Sequence, residues 1–260
     1  MLAVGIGAAL PAAAGCLDGV TVPIEASLEA EAAAPGTTAT TLRSADGARL
    51  RLAGVAEPLA ALGRQAAASD AVGAARAALA RWLAAPGLAA AIGQAADRHG
   101  RWPARLSDGD GRDLATRLVE AGLAPARPTA DAPGCAARLY PAEAAARAAR
   151  RGIWADAAFW PLAARAEGDA DSRRGAYVLI EARIHSIRRG DGVTFVNFGA
   201  DFRRDFTALF PHKGRNRGAF VEPPHSRDIG REVRVRGVVG GANALSVRIE
   251  SPEQWEWSGP

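Results

Sequence analysis

The stretch RLRLAGVAEPLA, residues 49–60, carries Arg51 in a strand-like alternation and runs into a proline-containing loop with one carboxylate, Glu57. An arginine fork beside loop acids is the equipment for handling a phosphodiester. The guanidinium grips phosphate oxygens in pairs, while carboxylates seat a metal ion and prime a water molecule. One acid stands here where that chemistry wants two or three. The expectation is a phosphate grip without the acids for turnover.

A second group of residues suggests recognition rather than cleavage. SIRRGDG, DFRRDF and PHKGRNRG bring Arg188, Arg189, Arg203, Arg204, Lys213, Arg215 and Arg217 close in sequence to Phe195, Phe198, Phe202 and Phe206. Bases stack on aromatic rings and guanidinium groups follow the backbone, so this pattern suits single-stranded DNA or RNA. Asp191, Asp201 and Asp205 stand among these residues and reduce the field. They favour the plainer reading of a β domain with phenylalanines in its core and mixed charge in its loops.

Metal-ligand spacing is missing from the four histidines, His99, His185, His212 and His225, and from the two cysteines, Cys16 and Cys135. In an oxidising compartment the cysteines could pair and tie the N-terminal arm to the folded body. Alternatively Cys16 carries a lipid, since Ala14-Gly15-Cys16 weakly resembles a lipoprotein cleavage box, and Cys135 is then free or buried. MLAVGIGAALPAAAG reads as a signal segment: apolar, too short to span a bilayer and ending in small residues, although the first basic residue is Arg43. These features predict export, to the periplasm or to a membrane-anchored state; an apolar N-terminal helix of a cytoplasmic protein is the competing reading.

The 260 residues are 48% hydrophobic and 23% charged, ordinary for a folded chain with room for one large or two small domains. The net charge of +4 permits a polyanionic partner without demanding one. Lys213 is the only lysine, so the basic side is almost all arginine, and alongside the alanine richness this says little about phosphate.

Certain elements must position the candidate residues. Residues 1–36 read as the signal-like segment followed by an acidic, aperiodic arm. TTLRSADGARLRLAGV predicts a hairpin about Asp46-Gly47. SDAVGAARAALARWLAA predicts a helix capped by Ser69 or Asp70, LAAAIG and WPARLSD two strands, and GRDLATRLVEAGLA a helix stopped by Gly122. PAEAAARAARRGIW predicts a third helix with Pro141 in its first turn and Gly152 at its end. After the polar segment AEGDADSRRG the texture becomes β-rich, in AYVLIEARIHSI, VTFVNFGA, FTALF and REVRVRGVV. EQWEW is expected to pack Trp255 or Trp257 on this second part.

In this order, the hairpin, the AGVAEP loop, the DRHGR loop and the LVEAGLA and AEAAARAARRGIW helices resemble the staphylococcal-nuclease-like (thermonuclease) domain, over roughly residues 38–156. The β-rich remainder is similar to an extension that accompanies this domain in some bacterial relatives. The resemblance implies an OB-type five-stranded barrel decorated with three helices over 37–156, a linker over 157–174, and a smaller strand-rich domain over 175–260. It also implies a calcium ion held by carboxylates, two arginines acting on the phosphodiester, and a glutamate assisting water. Arg51 and Arg101 fall on the two arginine positions. The acids do not persist: Thr40 stands at the hairpin ligand, Ala56 at the loop aspartate and Leu59 at the glutamate, while Glu57 falls on a position that ligates through its carbonyl.

The expectation is therefore an exported thermonuclease-like protein with a degenerate site. Arg51 and Arg101 would hold phosphate or nucleic acid, Glu57 would contribute weakly, and no metal would be bound. Two alternatives stand beside it: an active calcium-dependent nuclease using displaced acids such as Glu57 and Asp97, and an envelope module that docks a protein partner. Trp154 and Ile153 are expected to anchor the last helix.

Overall fold

The computed structural model describes residues 16–17, 22–23, 28–30, 40–44, 47–56, 68–127, 129, 132, 134–164, 174–212, 221–241 and 245–258. The signal-like segment and Glu57 to Leu59 lie outside them, as do Lys213, Arg215 and Arg217.

Alternation builds the first sheet. Arg49–Leu52 buries its leucines and leaves its arginines partly exposed, as a half-buried strand must. In chain order the strands are β1 (Val22–Pro23), β2 (Leu28–Ala30), β3 (Thr41–Ser44), β4 (Arg49–Leu52), β5 (Ala89–Ile92) and β6 (Arg101–Ser107). They pair in the order β1-β5-β6-β4-β3-β2. β3 and β4 form the expected hairpin, with Gly47 at φ 87° in the turn. β4 and β6 run parallel and the remaining pairs antiparallel. If β1 and β2 count as two halves of one strand, the order is first-second-third-fifth-fourth-first, that of an OB-type barrel.

Where the sequence reads as an aperiodic arm, β1 and β2 instead complete this sheet, pairing with β5 and β3. Strands of two and three residues have no period to detect, and backbone pairing alone defines them. Beside them Cys16 and Cys135 form a disulfide, the first of the two expected fates for these thiols.

Three helices pack on the barrel: α1 (Ala68–Leu83), α2 (Leu114–Glu120) and α3 (Ala136–Ala148). α1 starts before the expected caps, so Asp70 lies within its first turn, where its charge complements the helix dipole. Asp113 caps α2, and Gly122 follows the C-cap at φ 67°. α3 begins five residues before Pro141, which therefore sits inside the helix. Its left-handed C-terminal residue is Arg150, at φ 50°, ahead of Gly152. Ile153 and Trp154 are buried with Ala146 and Phe159 in a small cluster of their own. Within the expected linker, Leu162 already pairs with the second sheet through Leu179 and Glu181.

The second sheet holds β7 (Tyr177–Arg183), β8 (Ser186–Arg189), β9 (Val193–Asn197), β10 (Thr207–Pro211), β11 (Glu232–Gly240), β12 (Ser246–Arg248) and β13 (Trp255–Trp257). The pairs β8·β9, β9·β10, β10·β12, β12·β11 and β11·β7 run in one series from β8 to β7, of which only β10·β12 is parallel. If β7 and β8 count as halves of one strand, this is the order of the first barrel again. β13 adds to β11, and Trp255 meets Phe210 edge-on at 5.1 Å between centroids.

The barrels meet through buried polar contacts. Arg236 of β11, 1% exposed, bonds Glu143 of α3 at 2.5 Å and Glu256 at 2.9 Å, and its guanidinium lies 3.9 Å from the Tyr140 ring centroid. The other Glu143 oxygen accepts from the Ala126 N–H at 2.9 Å, and the Tyr177 hydroxyl donates to the Ala126 carbonyl at 2.8 Å. The Tyr140 hydroxyl donates to the Glu253 carbonyl. Among the described residues no helix is long and apolar enough to cross a membrane.

Candidate functional site

Strand alternation turns Arg49 and Arg51 away from the core that Leu50 and Leu52 enter. The parallel neighbour β6 starts at Arg101, which is the register partner of Arg49. The turn just before β6 supplies Asp97, whose carbonyl accepts from the Gly100 N–H at 2.9 Å. Gly100 closes that turn at φ 70°. Three segments thus deliver Arg51, Asp97 and Arg101 to one place.

The Asp97 carboxylate is the centre of this cluster. Its Oδ2 accepts Arg101 Nε at 2.9 Å and Nη2 at 2.8 Å, and lies 3.9 Å from Arg51 Nε. Its Oδ1 accepts the backbone N–H groups of His99 at 2.8 Å and Arg101 at 3.1 Å. Burial pushes the acid upward. The Arg101 side-chain bond, the two backbone donors and the Arg101 charge outweigh that and hold it at about 2. The side chains of Arg51, Asp97 and Arg101 are 12%, 18% and 19% exposed, so the cluster is largely sheltered rather than a solvated loop.

Both expected arginines are therefore together, and Asp97, the displaced acid considered for catalysis, lies between them as a brace. The calcium ligand set does not assemble from the described residues. Thr40 is buried, Ala56 is buried, and Asp97 is committed to guanidinium and amide donors. Among the described residues no three acids, histidines or cysteines gather where they could hold a metal. Hard calcium needs several oxygens, some charged, and this donor set does not fit it. Glu57 lies outside the described residues.

Two residues that sequence reading passed over extend the site. Register aligns Arg43 of β3 with Arg49 of β4, and Arg49 with Arg101 of β6, giving a cross-strand row of three cations. Glu29 of β2 is the register partner of Arg43 at its end. Arg49 Nη1 donates to the His99 carbonyl at 3.1 Å, fastening the turn that carries Asp97. The RLRL alternation carried that signal, because it sets both arginines of β4 on one face.

The second barrel separates its candidates. Arg188 and Arg189 are exposed on β8, and the Arg188 guanidinium stands 4.4 Å from the centroid of Phe195. Arg203 and Arg204 belong to another loop, where Asp201 accepts the Arg203 N–H at 3.1 Å and faces Arg204 at 3.9 Å. Phe198 and Phe206 are core residues, and Phe202 is exposed. Asp205 is buried, bonding the Asp201 N–H at 2.9 Å.

No curated protein matches the chain. Residues 49–156 match the family described as staphylococcal nuclease homologues, a span that opens on the strand carrying Arg49 and Arg51, takes in Asp97 and Arg101, and ends after Trp154. Residues 49–156 thus form a staphylococcal nuclease homologue domain, and Arg51, Asp97 and Arg101 all lie within that span.

Proposed function

We propose that the first barrel binds the phosphodiester backbone of single-stranded nucleic acid through Arg51 and Arg101, with little or no hydrolysis. The observation that carries this reading is the Asp97 brace: the acid nearest the arginines is bound to Arg101 and to two amides. A carboxylate so engaged sets the orientation of the forks. It is a poor proton acceptor, because its conjugate acid lies near 2, far below the neutral range that suits a general base. Pre-oriented guanidinium groups with low exposure grip a phosphate well, since less solvent screens them. The Arg43–Arg49–Arg101 row supports a track along which further phosphates are neutralised.

Export belongs to the same proposal. The Cys16–Cys135 bond supports an oxidising compartment such as the periplasm. A Cys16 thiol committed to this bond is not open to a lipid.

The test is to incubate the protein with single-stranded DNA and RNA, with calcium or with chelator, and to measure binding against salt. Oligonucleotide binding with a log–log salt slope that shallows by about one in Arg51→Ala and in Arg101→Ala is the expected result. Chelator-sensitive cleavage lost in Arg51→Ala would replace the proposal with an active nuclease. A flat salt response would remove nucleic acid as the partner.

A further inference from the structure

β8, β9, β10 and β12 lie side by side in the second barrel, and register sets Arg188, Phe195, Leu209 and Arg248 in one row across them. Val196, Ala208 and Val247, each next in sequence to a member of that row, enter the core, so alternation turns the row outward. Arg248 is committed to Glu250 at 3.1 Å and closes one end. The neighbouring row of Ser186, Asn197 and Thr207 satisfies itself, since Asn197 donates to Ser186 Oγ at 3.0 Å and accepts from Thr207 Oγ1 at 3.0 Å.

What this face offers a ligand is therefore its other end. Arg188 is exposed, and among the described residues no acid pairs with it. Its guanidinium stands 4.4 Å from the centroid of Phe195, a half-buried ring. Gly190 lies close against the same ring, where a β-carbon would come within 3.2 Å of it. A guanidinium held over a fixed ring is pre-oriented while its N–H donors stay open to solvent.

The loop that leaves β9 repeats the pairing. Phe202, at 56%, is the most exposed large apolar residue among those described, and the Arg203 guanidinium stands 5.7 Å from its centroid. The acids of this loop serve the loop itself: Asp205 holds the Asp201 N–H, and Asp201 holds the Arg203 N–H and faces Arg204.

We propose that β9 and the loop after it form a second surface for single-stranded nucleic acid, separate from Arg51 and Arg101. Unpaired bases stack on the Phe195–Arg188 and Phe202–Arg203 pairs, and the guanidinium groups bond the flanking phosphates. A duplex keeps its bases stacked inside and offers phosphates alone. An acidic peptide would answer the cations and leave both rings without a stacking partner.

Fluorescence anisotropy on the full chain carrying Arg51→Ala and Arg101→Ala tests the proposal with the first-barrel grip removed. The probes are a thymidine oligonucleotide of about ten nucleotides, an abasic oligomer of the same length and a duplex. The thymidine oligomer is expected to bind about tenfold more tightly than either of the others. Phe202→Ala, at an exposed position, is expected to weaken the thymidine oligomer about fivefold or more and to leave the abasic one unchanged. Arg188→Lys keeps the charge and loses the plane, so it is expected to weaken the thymidine oligomer selectively as well. Absence of binding in this background, or binding indifferent to Arg188 and Phe202, overturns the proposal whether or not the first barrel takes nucleic acid. Equal affinity for the abasic oligomer, or equally effective competition by polyglutamate, overturns it too.

Discussion

Asp97 shows how a single side chain can change the meaning of its neighbours. Two arginines beside a free acid would read as catalytic parts; here the acid is bonded to Arg101 and lies 3.9 Å from Arg51, and on the proposed function the pair serves as an anion grip. The titration behaviour gives a prediction at this scale. Its carboxyl falls from an ordinary 3.8 to about 2 in the folded protein, so its stabilising contribution is complete above the ordinary value. That contribution fades as pH drops through the folded value. Denaturant midpoints measured from pH 5 to pH 2 are expected to decline, and the part of that decline between about 4 and 2 to be missing in Asp97→Asn. At this scale the sequence named Arg51 and Arg101, which the structure brings to one place, and the non-acidic Thr40 and Ala56, because residue type alone decides whether a carboxylate exists. It offered Asp97 as a displaced acid, a partner of Arg51 or a plain turn residue and left the choice open, since a turn-starting aspartate looks the same whether its carboxylate faces water or a guanidinium.

At the scale of elements, helix ends matter most. The C-terminal turn of α2 meets the segment after α3 backbone to backbone: the Ile153 N–H donates to the Gly122 carbonyl at 2.8 Å. A β-carbon on Gly122 would collide with the Arg151 carbonyl, and one on Gly152 with the Gly122 carbonyl. Both glycines also have positive φ. Gly122→Ala is therefore expected to cost about 2 kcal/mol or more in chemical denaturation, combining left-handed strain with overpacking. Sequence reading found Gly122 because glycine after a helical period is the ordinary stop signal. It misplaced the start of α3, since Pro141 suits a first turn and the alanine-rich CAARLY segment before it has no strong helical period. The closing strands β1 and β2 escaped for a related reason: their identity lies in pairing partners, Ala89 and Ala90 for β1 and Leu42 to Ser44 for β2, and not in their own two or three residues.

The whole molecule is a pair of barrels with one strand order, each with its third and fifth strands parallel. A β-rich second domain was legible in its alternating runs. Its repetition of the first topology was not, because strand order depends on which edges meet and leaves no trace in periodicity. The join between barrels was equally hidden: Glu143 looks like one more surface residue of an Ala-Arg helix, yet it is fully buried against Arg236. Breaking that pair leaves a guanidinium in the interior with Glu256 as its remaining acid. Glu143→Gln is expected to lower stability by about 3–5 kcal/mol, whereas Glu143→Leu combined with Arg236→Met costs far less. Denaturation curves of the two variants check this, and equal losses would show that packing rather than charge holds the seam.

The bond between Cys16 and Cys135 spans 119 positions. It makes a closed covalent circuit of the first barrel, including the turn that presents Asp97 and Arg101. A single backbone cut anywhere on that circuit leaves one continuous molecule, with both new ends still tethered to the helix that docks on the second barrel. Damage that would release a fragment from a linear chain here yields only an opened ring, and Arg51 and Arg101 stay attached until a reductant reaches the sulfurs.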